Sequence, residues 1–300
     1  MVDRGKPGAN TAGQRLDHGS VSPYNAWPDR VLCSAVPMVG GTVSSGSPSS
    51  RSRRATAPQM ASPYKRPPIT EAVIEVRLDG AITRENVDKV QKRLLETYPF
   101  SQETQIVGVE VSDTSAKVQQ QFQGYRLTNK DGADTILISP SSIASARLAP
   151  YEGWEKLIVT ARQNWDVWKR LIGYRKVVRV GVRYINRIDV PEPAEGGVRI
   201  ADYLSFHPQL PNIGLPPLAN FTMNTVSSLG KDECKLTLNA GSVPSPLVKT
   251  VSFVLDLDVS RDSNMPQNDD DLWGLIGKIR DHKNAVFEGC ITNLSRQLFS

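Results

Sequence analysis

The chain has 300 residues, a formal net charge of +5 and 22% charged residues, which is enough chain for one or two domains with a sizeable core. Seven Lys/Arg and three Asp/Glu fall within Met1–Met60, so this segment carries +4 of the charge and the remainder is close to neutral. The composition of the chain after Met60 therefore does not indicate a basic nucleic-acid-binding domain. The three cysteines, Cys33, Cys234 and Cys290, are widely separated, which excludes a disulfide framework or zinc motif and favours a reducing cytoplasm.

The first segment of the chain, Met1–Gln59, is rich in Gly, Ser and Pro and has no sustained apolar period. Such a segment buries too little apolar surface to offset its ordering entropy. We predict a disordered extension, or a stretch that is not normally translated if synthesis starts at Met60. The apolar stretch Val31–Val39 is short and interrupted by proline, so neither a signal peptide nor a membrane span is predicted.

The first half of the remaining chain reads as one strand, one helix, a group of strands and a second helix. Thr70–Asp79 alternates apolar and charged residues, and Thr83 is a candidate N-cap for a helix over Arg84–Thr97. Asn129–Gly132 carries an Asp-Gly hairpin signal. The strands predicted around it are Ile106–Val111, Val118–Thr128, Thr135–Ser139 and Ile143–Leu148.

The helix predicted over Tyr151–Ile172 has apolar residues at spacings of three and four. Three tryptophans lie on its apolar stripe, namely Trp154, Trp165 and Trp168. They could form an aromatic ligand box, but the spacing favours a core face that covers a sheet.

The second half opens on the longest strand pattern of the chain, Tyr174–Pro191, which alternates with period two. The side predicted to be buried holds Val178, Val180, Val182, Tyr184, Ile188 and Val190. A short helix is predicted over Ile200–Phe206, and a final long helix over Asp270–Phe299. Three strands are predicted between them, over Phe221–Leu229, Glu233–Asn239 and Leu247–Val259.

These elements predict an α+β fold with one large antiparallel sheet and long helices packed on one face. The order β-α-β-β-β(β)-α occurs twice, once in residues 60–173 and once in 174–300, each starting with a similar strand. We therefore predict an internal duplication within one globular domain. The order of elements resembles the TATA-binding-protein-like half-domain, as an analogy of topology only.

Three ordered motifs occur from Met60 onward: Tyr64–Arg77 (PPITEAVIEVR at its core), Pro150–Glu155 (PYEGWE) and Gly181–Ile188 (GVRYINRI). In these motifs the chain resembles a sporadically distributed prokaryotic family of uncharacterised proteins. The resemblance excludes Met1–Gln59 and implies neither an activity nor catalytic residues.

Catalytic templates are missing from the sequence, which has no glycine-rich phosphate loop, metalloprotease motif or nucleophile elbow. The three histidines, His18, His207 and His282, have no sequence neighbours that make a catalytic pair, so we interpret them as ordinary histidines. Asp256 and Asp258 share one strand face and are weak candidates for Mg²⁺ or Ca²⁺, although a solvated strand face is the simpler interpretation. No cofactor is predicted.

Charged residues of the two leading strands are the main candidate binding site: Glu75, Arg77, Arg179, Arg183 and Arg187. Arginines four apart on one strand face could meet phosphates. Alternatively, they pair across strands with Glu71, Glu75 or Glu233. If the row is open, Arg183→Glu should abolish an interaction and leave thermal stability unchanged.

The leading hypothesis is a non-catalytic cytoplasmic binding or accessory protein that acts through the polar face of its sheet on a protein partner or another ligand. The alternative is a nucleic-acid-binding module that uses Arg179, Arg183 and Arg187. A third hypothesis is a metal-dependent enzyme at Asp256 and Asp258. The sequence makes no prediction of oligomeric state.

Overall fold

Nine strands join into one antiparallel sheet in the computed structural model, which describes residues 64–112, 115–211, 213, 218 and 220–300. Within 107–119 and at 231 only the backbone is described. The order across the sheet is β2-β3-β4-β5-β1-β6-β9-β8-β7. The strands are β1 (Ile69–Leu78), β2 (Phe100–Ser112), β3 (Ser115–Thr128), β4 (Asp134–Ile138), β5 (Ser142–Leu148), β6 (Val177–Pro191), β7 (Thr222–Ser228), β8 (Lys235–Val243) and β9 (Thr250–Arg261).

The long helices lie on one face of this sheet. Asn164 of the second helix donates to Ser145 Oγ of β5, and Lys283 of the fourth helix lies over the ring of Tyr184 of β6. Ser145 and Tyr184 belong to the apolar side of their strands, so both helices cover that side. The helices are α1 (Arg84–Leu94), α2 (Trp154–Ile172), α3 (Ile200–Tyr203), α4 (Asp269–Cys290) and α5 (Asn293–Leu298). The predicted α+β class and large antiparallel sheet are thus confirmed.

The two leading strands, β1 and β6, are neighbours at the centre of the sheet. They run antiparallel, and Ile74 faces Val182 while Glu75 faces Gly181. Ile74 and Val182 are buried under the helices, because alternate residues of each strand turn to the apolar side. Duplication of the two halves, 60–173 and 174–300, stays a prediction.

The start of β6 corrects one prediction. Val177, not Val178, is buried against the helices. The pairing of β1 with β6 shifts by one residue between Arg77 and Leu78, so Leu78 faces Val177. A bulge of this kind reverses which residues of the strand face the helices. The alternation of apolar and polar residues in the sequence does not reveal where such a bulge occurs.

The predicted final helix is also wrong in its extent, because it is two helices. α4 ends at Cys290, where Ile291 is extended and forms a single bridge with Leu204. The carbonyl of Cys290 accepts from the Ser205 amide at 2.9 Å. This tertiary partner satisfies the end of α4 in place of another helical turn.

The prediction for the tryptophans holds for two of the three. Trp165 and Trp168 are buried in the core between α2 and the sheet, whereas Trp154 at the start of α2 is partly exposed. The interpretation of Met1–Gln59 concerns a segment outside the described residues. Among the helices that the structure describes, none is long and apolar enough to cross a membrane.

Candidate functional site

The face of the sheet turned away from the helices is the polar face, which we define by its central strands β1, β6 and β9. Its side chains come from alternate positions of these strands. They are Glu71, Val73, Glu75 and Arg77 of β1, Arg179, Gly181, Arg183, Ile185, Arg187 and Asp189 of β6, and Ser252, Val254, Asp256, Asp258 and Ser260 of β9. The three strands lie side by side, so charges that are far apart in sequence come into contact.

Arg179 links the three central strands. Its guanidinium contacts the Glu75 carboxylate of β1 and donates from Nη2 to Asp258 Oδ2 of β9 at 2.9 Å. Arg77 Nε adds a second donor to Glu75 at 2.9 Å. These charge-assisted bonds join β1, β6 and β9 on the polar face.

Gly181 makes room for this arrangement. It faces Glu75 on one side and Ser260 on the other. A Cβ atom at this position would lie 3.0 Å from Arg179 Nη1 and 3.3 Å from Asp258 Oδ1. The missing side chain therefore lets the Arg179 guanidinium lie between its two carboxylates.

Arg183 has its own carboxylate. It donates from Nε and Nη2 to the two oxygens of Asp256 at 2.7 and 2.8 Å, a bidentate geometry. Asn239 of β8 also donates to Asp256 Oδ2, at 3.0 Å. The hydrogen bonds to Asp256 raise the pKa of Arg183 above its usual range, because they favour the charged form.

Arg187 contacts Asp189 two residues along the same strand face, with Nε 2.9 Å from Oδ1. Ser252 of β9 donates its hydroxyl to the same Asp189 oxygen at 2.6 Å. All four arginines of the predicted site thus contact carboxylates, and together with Glu71 the acidic side chains number five against four. The polar face is close to neutral.

The sequence named only one of these carboxylate partners correctly. Glu75 does contact Arg179, but Glu233 lies beside Arg261 of β9, at 3.7 Å, and not beside an arginine of the row. Asp256 and Asp258 were considered as metal ligands, not as arginine partners. The alternation of β9 placed them on one face, whereas the pairing of β6 with β9 could not be inferred from the sequence.

The carboxylate oxygens of Asp256 and Asp258 accept hydrogen bonds from guanidinium and amide donors. Within the described ranges, no three His, Cys, Asp or Glu side chains are arranged to hold a metal ion. Burial raises the pKa of Asp258, and the Arg179 charge opposes this shift. Burial also raises the pKa of Glu71, opposed by Arg126 and Arg183.

A buried lysine on the apolar side escaped the sequence analysis. Lys283 of α4 is 4% exposed, and its Nζ lies 3.5 Å from the centroid of the Tyr184 ring. Burial lowers the pKa of Lys283 to about 7, helped by the Arg280 charge and opposed by Glu288. The Tyr184 hydroxyl lies 2.6 Å from that of Tyr151. This cluster belongs to the core and does not reach the polar face.

One histidine acquires a partner that its sequence neighbours did not indicate. His282 Nε2 lies 2.5 Å from Asp232 Oδ2, which comes from the turn between β7 and β8. The pair joins α4 to this turn near the helix surface. No nucleophile or third group accompanies it among the contacts of the described residues, so it reads as a structural contact.

Comparison with models of known protein families and with curated proteins yields no match. The function of the site therefore has to be argued from the geometry of the polar face.

Proposed function

We propose that this chain is a non-catalytic, cytoplasmic binding protein that receives a protein partner on the polar face of its sheet. The observation that carries the proposal is the contrast between the two faces of the sheet. Helices cover one face, and the other presents ordered, partly exposed ion pairs on β1, β6 and β9. A face whose charges are already fixed in pairs is pre-organised for binding.

The size of this face suits a protein partner. The three central strands β1, β6 and β9 are flanked in the sheet by β5 and β8, which makes five adjacent strands. At ~4.8 Å between strands and ~3.3 Å per residue, ten-residue strands present about 24 by 33 Å. That is about 800 Å², the area that each partner contributes to an interface of standard size.

The charge balance favours a protein over a nucleic acid. Nucleic acids bind to unpaired cations that replace counterions at phosphates. Arg77, Arg179 and Arg183 instead contact carboxylates of this chain. The polar-face positions of β1, β6 and β9 also carry no aromatic residue on which a base could stack.

A metal-dependent reaction at Asp256 and Asp258 has less support. A cation would have to displace Arg183 from two oxygens of Asp256 and Arg179 from Asp258. Each displaced guanidinium would lose charge-assisted hydrogen bonds. These contacts therefore favour protein binding over a metal site at Asp256 and Asp258.

Site-directed photo-crosslinking tests the proposal. A photoreactive phenylalanine at Val73 or Ile185, both on the polar face, should give a discrete protein adduct in an extract of the cells that make this protein. The same group at Val159 or Leu171, exposed on the outer side of α2, is the matched control and should not give that adduct. Adducts are separated by size and identified by mass spectrometry.

The pattern of adducts decides between the hypotheses. Nuclease treatment should leave the polar-face adduct unchanged, whereas an adduct that nuclease removes would favour the nucleic-acid alternative. Equal adducts from the two faces, or adducts from α2 alone, would refute a polar-face binding site.

A further inference from the structure

A groove lies on the same side of the sheet as the polar face, beyond β1 and outside the ion pairs described above. It lies on strands β2, β3, β4 and β5, in the first half of the chain. Its volume is about 280 Å³. The residues that line it are Phe100, Ser101, Gln102, Arg126, Thr128, Gly132, Thr135 and Leu148.

Arg126 is the cation of this groove, and it differs from the arginines at the centre of the face. Its side chain is exposed, and within the part of the chain that the structure describes it forms neither a hydrogen bond nor a salt bridge. Its charge acts on the carboxyl of Glu71, whose pKa it holds down against the effect of burial. Arg126 is thus available to an anion from outside.

Thr135 supplies a second, independent observation. This residue of β4 is 2% exposed, and its Oγ1 has no hydrogen-bond partner among the described residues. A buried hydroxyl without a partner costs stability, and a valine of the same shape would avoid that cost. Thr135 also lines the groove that contains Arg126, so rotation of its side chain towards the groove would let a bound polar group complete the hydrogen bonding of Oγ1.

The apolar part of the groove comes from Phe100 and Leu148. Phe100 is 61% exposed and stands directly opposite Thr128, while Leu148 stands opposite Glu71. The groove thus combines an exposed aromatic side chain with the exposed guanidinium of Arg126. It provides a surface for the apolar body of a ligand whose charged end reaches Arg126.

We propose that this groove binds an apolar residue that carries an oxyanion, namely the terminal carboxylate end of a peptide. The inference rests on the proposed function, since it names the subsite where a protein partner would insert its chain end. A groove of this volume is at the lower limit for ligand pockets, which fits one residue better than a nucleotide cofactor. The planar Arg126 guanidinium suits a bidentate contact with a carboxylate.

The test uses small probes and the full chain. N-acetyl-L-phenylalanine should shift the backbone amide NMR signals of Phe100, Thr128 and Thr135, with a dissociation constant on the order of 1 mM. The neutral N-acetyl-L-phenylalaninamide should bind at least about tenfold more weakly, because it lacks the charge that Arg126 recognises. Phenyl phosphate forms a third arm, and binding tighter than that of the carboxylate would assign the groove to phosphate instead.

Two variants and a control complete the experiment. Arg126→Gln should weaken binding of N-acetyl-L-phenylalanine about tenfold, and Thr135→Val should weaken it several-fold. The NMR spectrum of the Thr135→Val protein should otherwise show an unchanged fold. Arg93→Gln, an exposed arginine on α1, should have no effect. Equal binding of the acid and the amide, or an unchanged affinity in Arg126→Gln, would overturn the proposal.

Failure here is distinguishable from failure of the proposed function. If the probes do not bind while Val73 and Ile185 still give the specific adduct, the groove assignment is wrong and the polar-face site stands. If the probes bind and the adduct is missing, the groove assignment stands and the polar-face site for a protein partner is wrong.

Discussion

Replacing Trp165 by alanine should lower the free energy of unfolding by about 3–5 kcal/mol, the usual range for a large side chain removed from a core. Trp165 is 1% exposed between α2 and the sheet. Its indole Nε1 also donates to Asp269 Oδ1 at the start of α4, at 3.1 Å, so the substitution removes a tertiary hydrogen bond as well. Urea denaturation measures the change, with the slope of the transition held the same.

Val159→Ala is the matched control for this prediction. Val159 belongs to the same helix and is 50% exposed, so its truncation should change stability by no more than about 0.5 kcal/mol. A Trp165→Ala protein as stable as the unsubstituted chain would show that α2 does not bury this stripe.

Arg183→Glu should lower the free energy of unfolding by about 2–4 kcal/mol, because it breaks a partly buried ion pair and leaves Asp256, which is 7% exposed, without its arginine partner. The new carboxylate would also stand near Asp258 and Glu71, whose charges both act on the residue at this position. The unchanged stability expected for an open arginine row is therefore replaced by the loss expected for a structural ion pair. Thermal and urea unfolding both measure the effect.

Arg199→Glu controls for charge reversal in general. The Arg199 side chain is 75% exposed and its Nε lies 3.9 Å from Asp202 Oδ2, a weak surface pair, so its reversal should change stability by about 0.5 kcal/mol at most. A melting temperature of Arg183→Glu equal to that of the original chain would restore the open arginine row and contradict the bidentate pair with Asp256.

Local patterns in the sequence were sufficient for most of the fold. The alternation of β6 predicts which of its side chains are buried from Val180 onward, because a sheet with one covered face needs that period. The same reading fails at Val178, since a bulge depends on how β1 pairs with β6. It also fails to end α4 at Cys290, since the segment that replaces the next turn comes from around Leu204.

The candidate site was less accessible to sequence analysis. Arg179 and Arg183 could be placed on one strand face, but their partners Asp256 and Asp258 lie more than seventy residues away on β9. Which strands become neighbours is decided by the packing of the whole sheet. Arg126 escaped attention for the related reason that its strand, β3, only joins the polar face through β4 and β5.

Binding of a protein partner at this site requires that the polar face is open in the full chain. Methyl NMR with a neutral gadolinium chelate measures it directly. The methyl signals of Val73 and Ile185 should broaden towards the extent seen for exposed Val159, while those of buried Ile74 stay sharp. Val73 and Ile185 signals as protected as Ile74, and broadened only after removal of Met1–Gln59, would show that the chain covers its own polar face and contradict the account.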